Sequence, residues 1–195
     1  MTNVKNRPYL IALTGGIASG KSTASHYLAK NYYLIDSDQI VANFYENPDF
    51  LSLLDREFAT HDKIALRNLI FKQHDNLVKL NSLVHPLVKK EIEKLIVLHN
   101  SEKIIIIDIP LLFEIGWENN FDCNILISCS LNKQLTRLMQ RNNLSLAEAT
   151  RWLALQKPMK EKRKVADYII HNNYSPAYLE HRLDTTIADI FKNLI

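Results

Sequence analysis

The stretch GGIASGKST, residues 15 to 23, holds three of the four glycines in a chain of 195 residues. Glycine is used where a backbone must turn tightly or approach a ligand without an intervening Cβ atom. The spacing fits G-x-x-x-x-G-K-[ST], with Gly15, Gly20, Lys21 and Ser22 at the fixed positions. We therefore expect the backbone N–H groups of this loop to line a concave phosphate site, to which the dipole of the next helix adds positive charge.

The residues on either side of this loop have the pattern that a nucleotide site requires. Upstream lies the short apolar run YLIALT, and downstream lies KSTASHYLAK, which contains helix formers and no helix breaker. A strand, the loop and a helix in that order are the context in which the motif binds nucleotide phosphates. The sequence thus predicts a P-loop NTPase fold, in which Lys21 reaches the outer phosphates of ATP and the Ser22 hydroxyl binds Mg²⁺.

Composition excludes several other classes of protein. The chain is 47% hydrophobic and 23% charged, which favours one ordered domain with a substantial core. A net charge of +3 suits phosphate-bearing small molecules but is too weak to indicate a nucleic-acid partner. No apolar run reaches the roughly 18 residues of a membrane span, and the first ten residues lack the apolar region of a signal peptide. We therefore expect a cytoplasmic protein without a membrane partner.

The two cysteines, Cys123 and Cys129, flank the run NILIS. If that run is a strand, they lie about 20 Å apart, which is too far for a disulfide. The sequence predicts two buried, reduced thiols.

Five strand-like runs alternate with helical stretches, and this alternation predicts a doubly wound parallel sheet. The third run, KIIIIDI, is almost continuously aliphatic, as expected for a central strand that is buried on both faces. The five runs are residues 9–14, 32–36, 103–109, 123–129 and 167–171.

Two helical segments complete the predicted organisation. Residues 39–100 contain no convincing strand and are expected to form a helical insertion that binds the acceptor, by analogy with small-molecule kinases. Residues 131–164 are helical and basic, which is typical of a lid. We expect residues 1–195 to form a single three-layer α/β domain of the P-loop, nucleotide-kinase-like type, with a five-stranded parallel sheet.

Three local patterns predict helix starts. Pro86 interrupts a long charged run, so a new helix is expected at His85 and Pro86. The sequence SLAE, residues 145–148, is a capping box. Ser175 followed by Pro176 combines a capping residue with proline at the first helical position.

Acidic residues end two of the predicted strands, at the edge where open α/β sheets bind ligands. Asp108 ends the aliphatic strand, where its carboxylate can hold Mg²⁺ directly or through water. Asp36 directly ends the second strand, and it is the better candidate for a carboxylate that accepts the proton of an acceptor hydroxyl. The structural alternatives are an Asp108 that caps a loop, an Asp38 that only caps a helix starting near Gln39, and an Asp36 with no more than a structural role.

The basic segment can supply cations to a transferring phosphoryl group. Arg141 falls between its two predicted helical pieces, a suitable position for an arginine on a lid that closes and excludes water. A solvated helix face is the alternative for any basic residue of this segment. His85 is as compatible with packing or capping as with ligand contact.

Taken in order, the motifs resemble those of the dephospho-CoA kinase family. They are LTGGIASGKST, IDSDQI, LRNLIF, LVHPLV, IDIPLLFE, RLMQRNNLSLAEA and QKPMKEKRKVADYIIHN, and they lie within residues 10–172. The phosphate loop is shared by many families, whereas the trio DSD, HPLV and IPLLFE in that order is far more specific.

The resemblance implies that ATP, with Mg²⁺, phosphorylates the 3′-hydroxyl of dephospho-CoA in the final step of coenzyme A biosynthesis. It also assigns roles by position in this chain. Asp36 would be the base and Arg141 the lid arginine, and Asn172 would lie near adenine. The phosphate-binding residues would be Gly15, Gly16, Ala18, Ser19, Gly20, Lys21, Ser22 and Thr23. The acceptor side would include His85, Leu111, Leu112, Phe113, Glu114, Gln156 and Lys162. We expect small-molecule partners only, and a monomer or weak homo-oligomer.

The chain departs from the family pattern in a few places. Ala18 stands where glycine is usual; alanine fits if φ is negative there, so we expect function to survive. Lys63 stands where arginine is common, and Ser37 stands where alanine is usual.

Two other classes share parts of this pattern. A different nucleoside or nucleotide kinase would have the same loop. It would also be expected to place arginines for an acceptor monophosphate, and the only arginines in residues 39–100 are Arg56 and Arg67. A GTPase would carry N-K-x-D after the fourth strand, whereas SLNK is followed here by Gln134 and Leu135.

Overall fold

A five-stranded parallel sheet with the strand order β2-β3-β1-β4-β5 forms the centre of the fold. The computed structural model describes residues 7–192, apart from the side chains at positions 71, 72 and 74; residues 1–6, on which part of the targeting prediction rests, lie outside it. The strands are β1 (Tyr9–Gly15), β2 (Tyr33–Asp36), β3 (Ile104–Asp108), β4 (Cys123–Ser128) and β5 (Tyr168–His171). All five predicted strands are present, and the predicted three-layer α/β fold is confirmed.

Strand register places Asp108 at the same edge of the sheet as the phosphate loop. Strand β1 pairs in parallel with β3 and β4, and Leu13 lies opposite Asp108. Strand β4 in turn pairs in parallel with β5. The aliphatic residues of β3 are buried throughout, because this strand lies inside the sheet between β2 and β1.

The sheet belongs to one of two compact units, which comprises the residues up to Ile35 together with those from Asn100 onward. Its helices are α1 (Lys21–Leu28), α6 (Leu131–Asn142), α7 (Leu146–Ala154), α8 (Met159–Val165) and α9 (Pro176–Lys192). Apolar side chains of α1 and α9 pack with those of the strands in one core: Leu28, Leu183 and Ile187 contact the cluster that contains Ile11, Ile106 and Ile125.

Local signals set the starts of two of these helices as predicted. Ser145 is the N-cap of α7 and forms a reciprocal capping box with Glu148. The Ser175 hydroxyl accepts a hydrogen bond from the N–H of Tyr178 at the start of α9. Residues 131–164, the segment predicted as a lid, contain the three helices α6 to α8.

Both cysteines are buried and free, as predicted. Burial raises the pKa of the Cys123 thiol to about 12, and it also raises the pKa of the Cys129 thiol. Both groups are therefore protonated thiols at neutral pH.

In the second unit, Asp36–His99, every element after Asp36, the last residue of β2, is a helix. Its helices are α2 (Ser37–Phe44), α3 (Pro48–Phe58), α4 (Lys63–Lys72) and α5 (His74–Leu98). Phe50, Leu54 and Leu66 form a small core of its own. The predicted insertion covered residues 39–100, and its role in binding the acceptor stays a prediction.

The helix break predicted at Pro86 is wrong, because α5 runs through this residue without interruption. Proline removes one hydrogen bond from the helical ladder, but the bonds on either side remain. Helix α5 packs on α2 and α4, and the residues Val88 and Ile92 beyond the proline are buried. Packing of the helix face thus outweighs the local cost of proline.

No helix in the described part of the chain is long and apolar enough to cross a membrane.

Candidate active site

The phosphate loop connects β1 to α1 and leaves the start of this helix open. Gly20 is its N-cap and has a left-handed backbone, with φ of 97°. The first N–H groups of a helix have no intrahelical partner, and within residues 7–192 no side chain caps α1 and its first turn holds no acidic residue. The first turn therefore presents unsatisfied donors and positive dipole charge to an anion.

Side chains outside the loop hold its carbonyl groups. The Gln134 amide donates to the Ile17 carbonyl at 2.9 Å, and the Cys129 thiol donates a weak bond to the Ala18 carbonyl at 3.9 Å. The Gln156 carboxamide oxygen accepts from the Ile17 N–H at 3.0 Å. These carbonyl oxygens, which would repel phosphate, are therefore bound to residues outside the loop.

The next carbonyl of the loop, that of Ser19, is held by Asn172 and Arg137. The Asn172 amide donates to it at 2.9 Å, and the Arg137 guanidinium donates at 3.3 Å. A Cβ atom on Gly20 would lie 2.0 Å from the Asn172 amide nitrogen. Gly20 is thus required both by its left-handed φ and by the close approach of Asn172. The Ser19 side chain is buried, and its hydroxyl has no hydrogen-bond partner in the described structure.

The expectation of a negative φ at Ala18 is wrong, because its φ is 56°. A Cβ atom in the left-handed region contacts the following carbonyl oxygen, which makes this conformation unfavourable for alanine.

Replacing Ala18 by glycine is expected to stabilise the ligand-free protein by about 0.5 kcal/mol. Relief of the left-handed strain contributes about 1–2 kcal/mol, and the extra freedom of the unfolded chain offsets about 0.4–1 kcal/mol of it. Urea unfolding measures the difference. Ala59→Gly is the matched variant, since Ala59 also has φ of 56° at the end of α3. A loss of stability in Ala18→Gly would contradict the claim that the backbone at Ala18 is strained.

Lys21 forms an ion pair with Asp108 at the carboxyl end of β3. The Asp108 side chain is only 3% exposed, and the Ser25 hydroxyl donates to its second oxygen. Ser25 lies one turn beyond Lys21 on α1, so one helix supplies both partners. In this arrangement Asp108 holds the lysine ammonium at the loop.

Ser22 is exposed at the start of α1. Its hydroxyl and the Asp108 carboxylate are oxygen donors of the kind that Mg²⁺ prefers. The chemistry of these donors therefore fits a magnesium ion, and the metal role of both residues stays a prediction.

Asp36 ends β2 and caps α2. One oxygen of its carboxylate accepts from the N–H groups of Asp38 at 2.8 Å and Gln39 at 3.2 Å. The alternative in which Asp38 caps this helix is therefore wrong, because Asp38 lies inside its first turn. Asp36 is exposed, and its other oxygen makes no hydrogen bond with the described residues. The cap fixes the orientation of the carboxylate while one oxygen stays accessible.

The residues after β3 differ sharply in exposure. Leu112 and Phe113 are 0% and 1% exposed, whereas Leu111 is 42% exposed. Of residues 111–114, Leu111 alone has an exposed side chain, since Glu114 is 15% exposed and its Oε2 atom is buried. The predicted role of all four residues in an acceptor pocket stays a prediction.

Glu114 is tied to α8 and to the chain before it. The Lys162 ammonium lies 2.6 Å from one carboxylate oxygen of Glu114, and the Lys162 side chain is 1% exposed. The Lys157 N–H donates to the same oxygen at 3.1 Å, and the Lys157 ammonium donates to the Phe113 carbonyl. Gln156 and Lys162, predicted on the acceptor side, thus contact the phosphate loop and Glu114 in this structure.

Lys162→Met is expected to lower the free energy of unfolding by about 3–5 kcal/mol, because it leaves a largely buried carboxylate without its counter-ion. The double variant Lys162→Met with Glu114→Gln is expected to recover most of this loss. Urea unfolding without ligand measures both. Lys160→Met is the control on the same helix, since Lys160 is exposed; equal effects of the two lysine changes would contradict the ion pair.

Arg141 lies in the last turn of α6, so its predicted position between two helical pieces is wrong. The helix extends to Asn142 and ends at Asn143, whose left-handed backbone has φ of 50°. The Arg141 side chain is exposed and donates to the Asn142 side chain at 2.9 Å. Its role on a lid stays a prediction.

His85 lies inside α5, in the helical unit. It is half-buried, and burial lowers the pKa of its imidazole. A neutral ring follows at pH 7. Its predicted contact with substrate stays a prediction.

Sequence reasoning missed several residues that support the loop. Gln134, Arg137 and Leu138 have the i, i+3, i+4 spacing of one helix face, and Gln134 and Leu138 are buried. A glutamine at a core-facing position was the available signal, because buried polar groups require partners. Ser25 had no such signal, since serine is common on helix surfaces.

A cavity of about 230 Å³ adjoins the helix start on the side of Asn172. Its walls combine apolar side chains with one guanidinium group and one amide. They are Gly20, Thr23, Arg137, Asn172, Tyr174, Pro176 and Leu179.

The family assignment follows from the sequence match. The model of the dephospho-CoA kinase family matches residues 9–177, which include the phosphate loop and Asn172. The chain belongs to the dephospho-CoA kinase family. Members of this family are kinases, phosphotransferases with an alcohol acceptor.

Curated relatives agree with this membership over almost their whole length. A dephospho-CoA kinase of Lactobacillus johnsonii is 36% identical, with 93% of this chain and 98% of that protein covered. A dephospho-CoA kinase of Streptococcus mutans is also 36% identical, with 91% and 96% covered.

Solved structures give the same fold. A Thermus thermophilus protein superposes with a TM-score of 0.81 at 32% identity, with 94% of this chain and 98% of that chain covered. Dephospho-CoA kinase from Campylobacter jejuni superposes with a TM-score of 0.64 at 26% identity, with 94% and 97% covered. A shikimate kinase from Acinetobacter baumannii, 16% identical with a TM-score of 0.54 and 99% and 98% covered, shares the fold.

Proposed function

We propose that this protein transfers a phosphoryl group from ATP to the 3′-hydroxyl of the ribose of dephospho-CoA, which gives coenzyme A and ADP. The observation that carries the proposal is the family match over residues 9–177, a range that includes the phosphate loop and Asp36. The product is coenzyme A, so the reaction completes its biosynthesis.

The phosphate groups of ATP bind at the loop and at the start of α1. The donors are the open N–H groups of the first helical turn, and the carbonyl groups of Ile17, Ala18 and Ser19 are already bound elsewhere. Lys21 leaves Asp108 for the transferring phosphoryl group, where its charge stabilises the oxygens in the transition state. Binding and stabilisation therefore come from one continuous segment.

The adenine ring binds in the cavity beside Asn172. A planar base fits a site of about 230 Å³ that combines the apolar walls of Pro176 and Leu179 with the Arg137 guanidinium. Guanidinium groups stack well on aromatic rings. Arg137 is oriented for this role because the carbonyl groups of Ser19 and Asn172 accept its hydrogen bonds.

The Ser22 hydroxyl and the Asp108 carboxylate hold the Mg²⁺ that accompanies the nucleotide. Such an ion supplies positive charge to the phosphate oxygens. The contribution of the chain is to keep two oxygen donors next to Lys21, one at the helix start and one at the end of β3.

Asp36 accepts the proton of the acceptor hydroxyl. A carboxylate in this role contributes through proton transfer and through orientation of the attacking oxygen. The bonds from Asp38 and Gln39 hold one oxygen, so the free oxygen has a defined direction. Arg141 is proposed to supply a further cation when the segment of residues 131–164 closes and excludes water.

The test is ADP release from Mg·ATP with dephospho-CoA, in parallel with AMP, CMP and pantetheine as acceptors. The product is analysed for mass and for the position of the new phosphate. Turnover with dephospho-CoA alone, with phosphate on the ribose 3′-oxygen, is the expected result. Turnover with a nucleoside monophosphate in its place would assign the chain to a different kinase activity.

A further inference from the structure

The N–H group and the carbonyl group of Ile17 are each hydrogen-bonded to a glutamine side chain that is distant in sequence. The Ile17 carbonyl accepts from the Gln134 amide at 2.9 Å, and the Ile17 N–H donates to the Gln156 carboxamide oxygen at 3.0 Å. Gln134 is only 6% exposed. The loop also closes on itself through the Ser19 N–H and the Gly16 carbonyl at 3.0 Å, so the two glutamines add constraints beyond those of the turn.

Gly16 shows how closely the loop and the basic segment approach each other. Its φ does not lie in the left-handed region, so backbone conformation does not require glycine here. A Cβ atom at this position would lie 2.6 Å from the Gln134 amide nitrogen and 2.6 Å from the Met159 methyl group. The absence of a side chain therefore admits groups from α6 and α8.

Ala18, the residue after Ile17, has a strained backbone, with φ of 56°. Strained backbone persists only when the surrounding structure fixes it. The two glutamines fix the peptide groups before Ala18, and the Cys129 thiol bonds to its carbonyl oxygen. Burial raises the pKa of that thiol, so it remains a hydrogen-bond donor.

We propose that Gln134 and Gln156 are positioning residues that hold the Ile17 peptide groups and thereby keep the strained Ala18, and with it the phosphate loop, in the conformation that binds nucleotide. Gln156 acts here on the loop, in contrast to the acceptor role that the resemblance implies. The role of the two glutamines in holding the loop can be tested without any ligand. Their effect on nucleotide binding rests on the proposed function.

The first test uses the opposite hydrogen-bonding roles of the two glutamines. Gln156→Glu keeps an acceptor for the Ile17 N–H, whereas Gln134→Glu replaces a donor by an oxygen that faces the Ile17 carbonyl. We expect the Tm of ligand-free Gln134→Glu to fall by about 5 °C and that of Gln156→Glu to stay within about 2 °C of the parent. Gln140→Glu is the control, because Gln140 is exposed on the same helix. Equal losses at positions 134 and 156 would overturn the proposal.

The second test asks whether the glutamine matters because Ala18 is strained. Gln134→Met, which keeps the volume of the side chain, is expected to raise the KM for ATP about tenfold while kcat changes less. In the Ala18→Gly background the same change is expected to raise this KM only about twofold, because glycine adopts the left-handed conformation without strain. If Gln134→Met raised the KM for ATP equally in both backgrounds, Gln134 would act independently of the strain at Ala18, and its role would be packing alone.

These two tests separate failure of this inference from failure of the proposed function. The Tm comparison needs no substrate, so it remains decisive even if dephospho-CoA is not the acceptor. If Gln134→Glu does not fold, Gln134→Met provides the Tm comparison with Gln156→Glu. Unchanged Tm in Gln134→Met would equally overturn the role of the Ile17 bonds.

Discussion

Lys21→Met is expected to reduce kcat/KM for ATP by roughly 10³-fold, since removal of one charge-stabilising group from a transition state commonly costs about 10²–10³. The methionine keeps the apolar stem of the side chain and removes only its charge. Lys30→Met is the matched control, because Lys30 is exposed just beyond the same helix. Steady-state assays at saturating dephospho-CoA measure the effect, and near-parental kcat/KM in Lys21→Met would remove this residue from the chemistry.

The same substitution also affects stability, which a motif alone does not reveal. Asp108 is buried beside Lys21, so the loss of the ammonium removes the counter-ion of a buried carboxylate. Lys21→Met with Asp108→Asn is expected to restore stability without restoring turnover. Urea unfolding of both variants separates the loss of folded protein from the loss of catalysis.

Asp36→Asn is expected to lower kcat by about 10²-fold, within the range of about 10²–10⁴ for general base catalysis, with the KM for ATP nearly unchanged. Asparagine caps helices as well as aspartate does, so α2 is retained while the proton acceptor is lost. Initial rates over a matrix of ATP and dephospho-CoA concentrations separate kcat from KM.

Asp62→Asn is the matched control for this prediction. Asp62 caps α4 with the same geometry, in which one carboxylate oxygen accepts from the N–H groups of Ile64 and Ala65. The control variant is expected to retain the parental kcat. A higher KM for ATP with unchanged kcat in Asp36→Asn would assign this residue to nucleotide binding.

The parts of the fold that the sequence predicts well depend on short-range physics. Strand β3 follows from its aliphatic run, and the start of α7 follows from the capping box of Ser145 and Glu148, whose members are three residues apart. The phosphate loop is similarly defined by local spacing. Such features can be inferred because their partners lie within one turn of a helix or one strand.

The incorrect predictions involve tertiary contacts or backbone angles that side-chain patterns do not encode. Pro86 stays within α5 because packing on α2 and α4 supports the helix. The φ of Ala18 depends on bonds to Gln134 and Gln156, which no spacing rule connects to the loop. The identity of the acceptor likewise came from resemblance, since no single residue of the helical unit specifies it.

The phosphate loop, near the start of the chain, obtains its partners from residues near its end. Ile17 and Gln134 are 117 positions apart, and Ser19 and Asn172 are 153 positions apart. Closure of such long intervals is slow, because the chain entropy is lost before the contacts form. A nascent chain that ends before residue 172 therefore carries the motif without a complete site. We therefore expect these contacts to form late in folding, and bound nucleotide to slow unfolding more than it speeds folding.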